Sequence, residues 1–334
     1  MELNVVWFIL LTVLFIGFFF LEGFDYGVGI LLPFLGKNDT ERRVIINTIG
    51  PVWDGNEVWM ITAGGAMFAA FPHVYATLFS GFYLALFLML MALIVRGVAF
   101  EFRSKDQNPA WRSTWDWLIF IGSAIPAVLW GVAVTNLIQG VPIDANMQYV
   151  GTFFDLLSPY TLVGGVAFFL VFAFHGALYL TLKTEGDMVK RARKAALQLG
   201  VGTAVFCLAL VGLTYTNTDL FASAGAGSAL LGAVVLFVGA YGGAYCKRHG
   251  FSFILSSLTI AFTTIAFFWG LFPRLMVSNL NPAWSLTITN AASTPYTLSI
   301  MTVAALLLVP VVLVYQGWVY WIFRKRVNDK NLEY

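Results

Sequence analysis

Long apolar stretches separated by short polar intervals run from one end of the chain to the other. A helix crossing a bilayer takes about 20 apolar residues. On that criterion the pattern predicts nine spans, at 5–34, 52–71, 75–99, 116–138, 160–182, 197–215, 227–246, 252–272 and 297–323. Most intervals are short, which favours sequential antiparallel neighbours in a helical bundle. The link "FPHVY" makes the second and third spans a tight hairpin.

Charge gives the spans a direction. Lys37, Arg42 and Arg43 follow the first span, and Arg96, Arg103, Lys105 and Arg112 end or follow the third. Lys183, Lys190, Arg191, Arg193 and Lys194 follow the fifth, Lys247 and Arg248 the seventh, and Arg324, Lys325, Arg326 and Lys330 close the chain. Thus 18 of the 19 Lys and Arg lie on alternate intervals, with Arg274 alone on the other side. The positive-inside rule then predicts an external N-terminus and a cytoplasmic C-terminus, and an odd number of spans agrees.

Composition excludes the soluble alternatives. The chain is 59% hydrophobic and 11% charged, with a mean hydropathy of +0.81, more apolar surface than a soluble core of this length absorbs. Glu2 stands where a secretory signal carries basic residues and no A-x-A-like site follows, so the first apolar run reads as a retained span. Cys207 and Cys246 lack metal-type spacing, and His73, His175 and His249 are too scattered for a self-contained metal site. No intramembrane His or Met pair at helical spacing suggests a haem clamp, and His175 in "FAFHGALYL" reads as a packed or singly hydrogen-bonded side chain. No Walker or GxGxxG sequence indicates a nucleotide site, and the basic run "KTEGDMVKRARK" suits an anionic leaflet better than a nucleic acid. Trp111, Trp115, Trp117, Trp318 and Trp321 read as interfacial belt residues. The pairs Gly64/Gly65 and Gly164/Gly165 are expected to let helices pack closely.

The remaining polar residues carry the chemistry. Glu22 and Asp25 lie in the first span, Asp54 and Glu57 open the second, and Arg96 and Glu101 end the third in "LIVRGVAFEFRSK". All fall toward the predicted cytoplasmic ends of three consecutive spans. The three-residue spacing of Glu22/Asp25 and of Asp54/Glu57 puts each pair on one helix face. Gly23, Gly27 and Gly29 surround Asp25 and are expected to loosen the helix and admit a neighbour or water. Counted back from Gly36, Asp25 lies about 16 Å deep at the helical rise, whereas Asp54 lies within about a turn of the surface if its helix begins at Pro51. Carboxylates at depth face partners or water. They are expected to form a proton path from the cytoplasm through Glu101 and Asp54 to Asp25, with Arg96 as counter-charge. An Asp54 that merely caps a helix and an Arg96 that merely snorkels are the simpler alternatives. An ion-coupled transporter with an interrupted first span, or a purely structural partner subunit, also stays open at this point.

A specific resemblance narrows these alternatives. The string "GFDYGVGILLPFLGKNDTERRVIINTIGPVWDGNEVWMITAGGAMFAAFPHVYATLFSGFY", followed by "FRSK", "WDW" and "QGVP", resembles subunit II of cytochrome bd quinol oxidase. The likeness is dense over about residues 15–145 and looser beyond, through "FSFILSSLTIAF" to the last span. It implies an all-α polytopic membrane protein of two four-helix bundles plus a peripheral helix. The bundles would take residues 1–138 and 139–272, with an outer loop, ninth helix and cytoplasmic tail in 273–334. It further implies a partner subunit I holding two haems b, haem d and the quinol-oxidising loop, one or more small single-span subunits, and no haem ligands in this chain. The complex would reduce dioxygen to water with quinol electrons, drawing protons from the cytoplasm without a true pump. Asp25 and Asp54 match the family's proton-path acids, Arg96 and Glu101 its cytoplasmic mouth with Lys105 nearby, and Trp53 a tryptophan associated with bound quinone in some members. Glu101 stands where Asp is familiar and Glu57 where Gln is, and the "TNTDLFASAGAG" loop is short beside some relatives.

Overall fold

The structure, a computed structural model, describes residues 2–329 and residue 332. Helix accounts for most of it. In chain order the helices are α1 (Leu3–Leu35), α2 (Asp39–Ile49), α3 (Trp53–Ala70), α4 (Pro72–Gly81), α5 (Tyr83–Phe102), α6 (Pro109–Gln139), α7 (Pro159–Lys183), α8 (Gly186–Asn217), α9 (Ala224–Tyr245), α10 (His249–Leu271) and α11 (Pro295–Ile322). A two-stranded ribbon, β1 (Arg274–Met276) paired antiparallel with β2 (Leu286–Thr287), shapes the loop before α11. Among the described residues eight helices are long and apolar enough to cross a membrane; α3, which carries Asp54 and Glu57, is not one of them.

Each predicted span coincides with helix, but the boundaries move for physical reasons. The third is broken at Phe82 between α4 and α5. The basic run 186–194 is itself helical and extends α8 well beyond its apolar part, because Lys, Arg and Ala favour helix wherever water meets the charges. The α2 helix was not predicted. Asn38 caps it by accepting from the Glu41 backbone N–H at 2.9 Å, Asp39 and Glu41 fill its first turn, and Ile45, Ile46 and Ile49 are buried.

The organising element is α1, in which every residue from Leu21 to Leu32 is buried. It packs on α3, α6, α7 and α10; α5 lies against α6, α8 against α7 and α9 against α10, while α11 touches α1 and α3 from the periphery. Between apolar helices in lipid, close approach of backbones replaces the hydrophobic drive. A side chain at Gly27 would strike the Phe172 carbonyl oxygen at 1.9 Å, and one at Gly131 the Gly164 carbonyl oxygen at 2.3 Å. Contrary to the expectation of a loosened segment, α1 therefore runs unbroken past Asp25, and its glycines serve contact with α7 and α6. Aromatic stacking adds to the seam, with the Phe24 and Tyr179 rings 4.1 Å apart.

Ion pairs and capping contacts gather the basic intervals at one end. Arg103 and Arg112 reach Asp39, Arg42 reaches Asp116, and Arg191 reaches Glu41. Arg193 donates to the carbonyl of Ala244, and Lys183 to those of Phe323 and Lys325. At the opposite end Asn4 meets Ile288, Ser293 meets Ala70, and Arg274 pairs with Asp219.

Candidate functional site

Near the basic end, α1, α3, α5 and α11 enclose a polar cluster within an otherwise apolar interior. Helical spacing sets it up: α1 presents Glu22, Asp25 and Tyr26, α3 presents Asn56 and Glu57, α5 presents Arg96, and α11 presents Gln316 and Tyr320 one turn apart. Glu22, Asp25, Asn56 and Arg96 are all 0% exposed. Nη1 of Arg96 pairs with Oε1 of Glu22 and with Oε1 of Glu57 at 3.1 Å. The guanidinium sits 4.9 Å from the Tyr26 ring centroid, a desolvated cation–π contact. Asp25 accepts from Nδ2 of Asn56 at 2.6 Å, and Oδ1 of Asn56 accepts from the Tyr320 hydroxyl at 2.7 Å. Trp59 Nε1 donates to Gln316 at 2.9 Å and fixes the second α11 side chain.

Several atoms of this cluster are buried without a protein partner: Oε2 of Glu22, Oδ1 of Asp25, the Tyr26 hydroxyl, and Nε and Nη2 of Arg96. Buried polar atoms are almost always hydrogen-bonded, and internal water is the usual partner when protein is not.

Closer to the basic end lies a second, differently built group. Asp116, 0% exposed, accepts from Nε of Arg103 at 2.6 Å and from Nη1 of Arg42 at 2.8 Å. Asp39 bridges Arg103 at 2.9 Å and Arg112 at 2.6 Å. Nearby, Arg191 grips Glu41 with two nitrogens at 2.6 and 3.0 Å and holds its carboxyl below the usual glutamate range. These bonds clamp α2, α6, α8 and the turn after α5 together.

Of the residues singled out in the sequence, Asp25 and Arg96 enter the cluster, joined by Glu22 and Glu57. Asp54, Glu101 and Lys105 stand exposed on the protein surface. Trp53 is half-buried against Phe100, with ring centroids 5.1 Å apart. Sequence reasoning missed Asn56, Gln316 and Tyr320. Asn56 was visible as the residue between two acids, but α11 shows few polar residues and gives no local sign of which helix it meets. Asn56 lies within a turn of the start of α3, and Tyr320 within a turn of the end of α11.

The histidines offer little to a metal. Among the described residues no group of three or more His, Cys, Asp or Glu is placed to hold one. Both ring nitrogens of His175 are engaged, by Ser256 at 2.9 Å and the Phe20 carbonyl at 3.2 Å, and its ring stacks on Phe253. Nε2–H donates to the carbonyl, which leaves Nδ1 to accept from the Ser256 hydroxyl.

Fold and site together define a multi-pass, all-α integral membrane protein with a desolvated carboxylate–arginine cluster beside an ionic clamp whose carboxylates are all paired. Residues 3–323 match the family "Cytochrome bd terminal oxidase subunit II", and the chain belongs to that family. The chain is 46% identical over 332 residues to the cytochrome bd ubiquinol oxidase subunit 2 of Bacillus subtilis, covering 99% of this chain and 98% of that one. It is 40% identical over 367 residues to the cytochrome bd-I ubiquinol oxidase subunit 2 of Escherichia coli, covering 99% and 97%. A chain of the bd oxidase structure from Geobacillus thermodenitrificans superposes with a TM-score of 0.76 at 17% identity, covering 96% of this chain and 99% of that one, a likeness of fold. Membership places the chain in a haem-containing respiratory oxidase complex of the bacterial cytoplasmic membrane, beside a partner subunit.

Proposed function

We propose that this chain is the haem-free subunit of a quinol:dioxygen oxidoreductase and that it supplies a proton uptake path from the cytoplasm to Asp25. Two of the relatives are named ubiquinol oxidase subunits, which supports quinol as the electron donor. The positive-inside rule makes the basic end cytoplasmic. The donor set argues against a haem in this chain, because the one histidine deep in the helices spends both nitrogens on Ser256 and Phe20. Haems b and d then belong to a partner subunit I, with small single-span subunits completing the complex. The exposed α3 surface, where nothing approaches Gly64 or Gly65 within 4 Å, is free to receive a partner helix.

The observation that carries the proton path is the unbalanced charge of the buried cluster. Glu22, Asp25 and Glu57 face a single cation, Arg96. Unmatched charge in a desolvated site is costly, so a proton taken up among the carboxyls halves the excess negative charge, and such a group titrates as a unit. The unpartnered oxygens of Glu22 and Asp25 are where water hands that proton over. Asp54, Glu101 and Lys105 take part as surface groups at the ends of α3 and α5, and Trp53 as an interfacial contact for quinone. A coupled transporter with a broken first helix is disfavoured, because α1 is continuous through Asp25.

Asp25→Asn in the purified complex is expected to slow quinol-driven oxygen uptake by about tenfold or more, with the haem spectrum and subunit content preserved. Asp54→Asn is expected to slow it less. Parental rates in both would defeat the proton path; loss of haem would make the acids structural.

A further inference from the structure

A polar cavity of about 150 Å³ lies at the basic end between α2, α7 and the C-terminal end of α11. Thr48, Val52, Tyr179, Lys183, Tyr320 and Arg326 are among the residues lining it. The segment after α11 folds over it: the Val327 N–H donates to the Lys183 carbonyl at 2.7 Å, and the Lys183 ammonium reaches back to the carbonyls of Phe323 and Lys325. Room for several water molecules and walls with polar groups make it a wet site. Its inner wall is Tyr320, whose hydroxyl holds Asn56, which in turn holds Asp25. The middle of α11 contributes little to the interior: Leu306 is 71% and Val314 74% exposed. Gln316 and Tyr320 are thus polar side chains turned inward below a middle stretch of α11 that faces outward.

We propose that this cavity is the cytoplasmic mouth through which water brings protons to Asp25, and that Tyr320 is the positioning residue that keeps the Asn56 amide on Asp25 at its inner wall. The inference rests on the proton-uptake reading above and relocates its opening from the exposed Asp54 side to the α11 side. The step moves one proton: hydronium entering the cavity passes its charge along water leading past Tyr320, the O–H bond of the hydronium that ends beside Asp25 breaks, an O–H bond forms at a carboxylate oxygen of Asp25, neutral water is left, and no electron is transferred. Asn56 carries no proton in this scheme. Its amide nitrogen donates to Oδ2 of Asp25, leaving Oδ1 without a protein partner and available to take the proton.

The test uses the intact complex in inverted membrane vesicles, with Cys207 and Cys246 replaced and Val327→Cys introduced at the rim of the cavity. Full modification by a charged methanethiosulfonate reagent, confirmed by mass spectrometry, is expected to slow oxygen uptake about fivefold relative to the same protein before labelling, and a thiol reductant should restore it. In parallel, Tyr320→Phe is expected to lower turnover by about threefold, move the alkaline fall-off of rate to lower pH and raise the solvent isotope effect. Labelled enzyme running at its unlabelled rate, while Asp25→Asn is slow, would place the mouth elsewhere and leave the uptake path standing. Slowing without any change in pH profile or isotope effect would overturn the proposal as a packing disturbance. Asp25→Asn at the parental rate would instead remove the reading on which it rests.

Discussion

Two ionic groups stand a few turns apart in this molecule and are built on opposite plans. In the clamp, Asp39 and Asp116 are shared among Arg42, Arg103 and Arg112, and neither carboxylate is left with a buried unpartnered oxygen. In the deep cluster, one arginine serves several carboxyls, and both Arg96 and its partner Glu22 keep unpartnered atoms. A saturated network has one stable arrangement and works as a fastener. An under-partnered one has places for water and a spare proton, which is what a proton path requires. Burial alone does not separate them, since Asp25 and Asp116 are both 0% exposed.

The sharpest way to break this comparison is to remove a cation. Arg96→Leu leaves Glu22 and Glu57 without their counter-charge and is expected to cost about 5 kcal/mol, read as loss of assembled complex. Asp116→Asn strips the clamp of its buried charge and is expected to cost about 3 kcal/mol. Thermal unfolding should register that loss, while turnover per assembled complex stays at the parental value. If Asp116→Asn slowed turnover as Asp25→Asn does, the distinction between fastener and path would fail.

A smaller effect concerns pH. Glu41 is held below its ordinary range by Arg191, so the pair contributes stability above the unfolded-state pKa and loses it as pH falls through the folded one. The effect is about 1 kcal/mol or less for a partly exposed pair. Melting temperature followed from neutral pH downward should fall less steeply for Glu41→Gln than for the parent, and parallel curves would show that the pair contributes nothing.

Much of this was legible in the chain. Apolar runs located the helices, and the alternation of Lys and Arg marked the end at which the clamp and cluster lie. Asp25 and Arg96 stood out because charge is rare at that depth. The clamp was hidden in plain view: Arg42, Arg103 and Arg112 read as topological signals, and nothing local showed that Asp116 would meet two of them across 74 and 13 residues. Tyr320 was hidden for the same reason, since its partner Asn56 lies 264 residues away. Local periodicity reports which face of a helix is polar, not which helix receives it. The glycines near Asp25 admit neighbouring helices, as expected, but do not loosen α1, because the same residue that weakens an isolated helix also permits close packing.

The measurement that bears most directly on the account is oxygen uptake by Asp25→Asn and Asp116→Asn complexes compared at equal haem content. The account predicts that Asp25→Asn is assembled but slowed by about tenfold, and that Asp116→Asn is destabilised but turns over at the parental rate. Equal rates in the two complexes would contradict it.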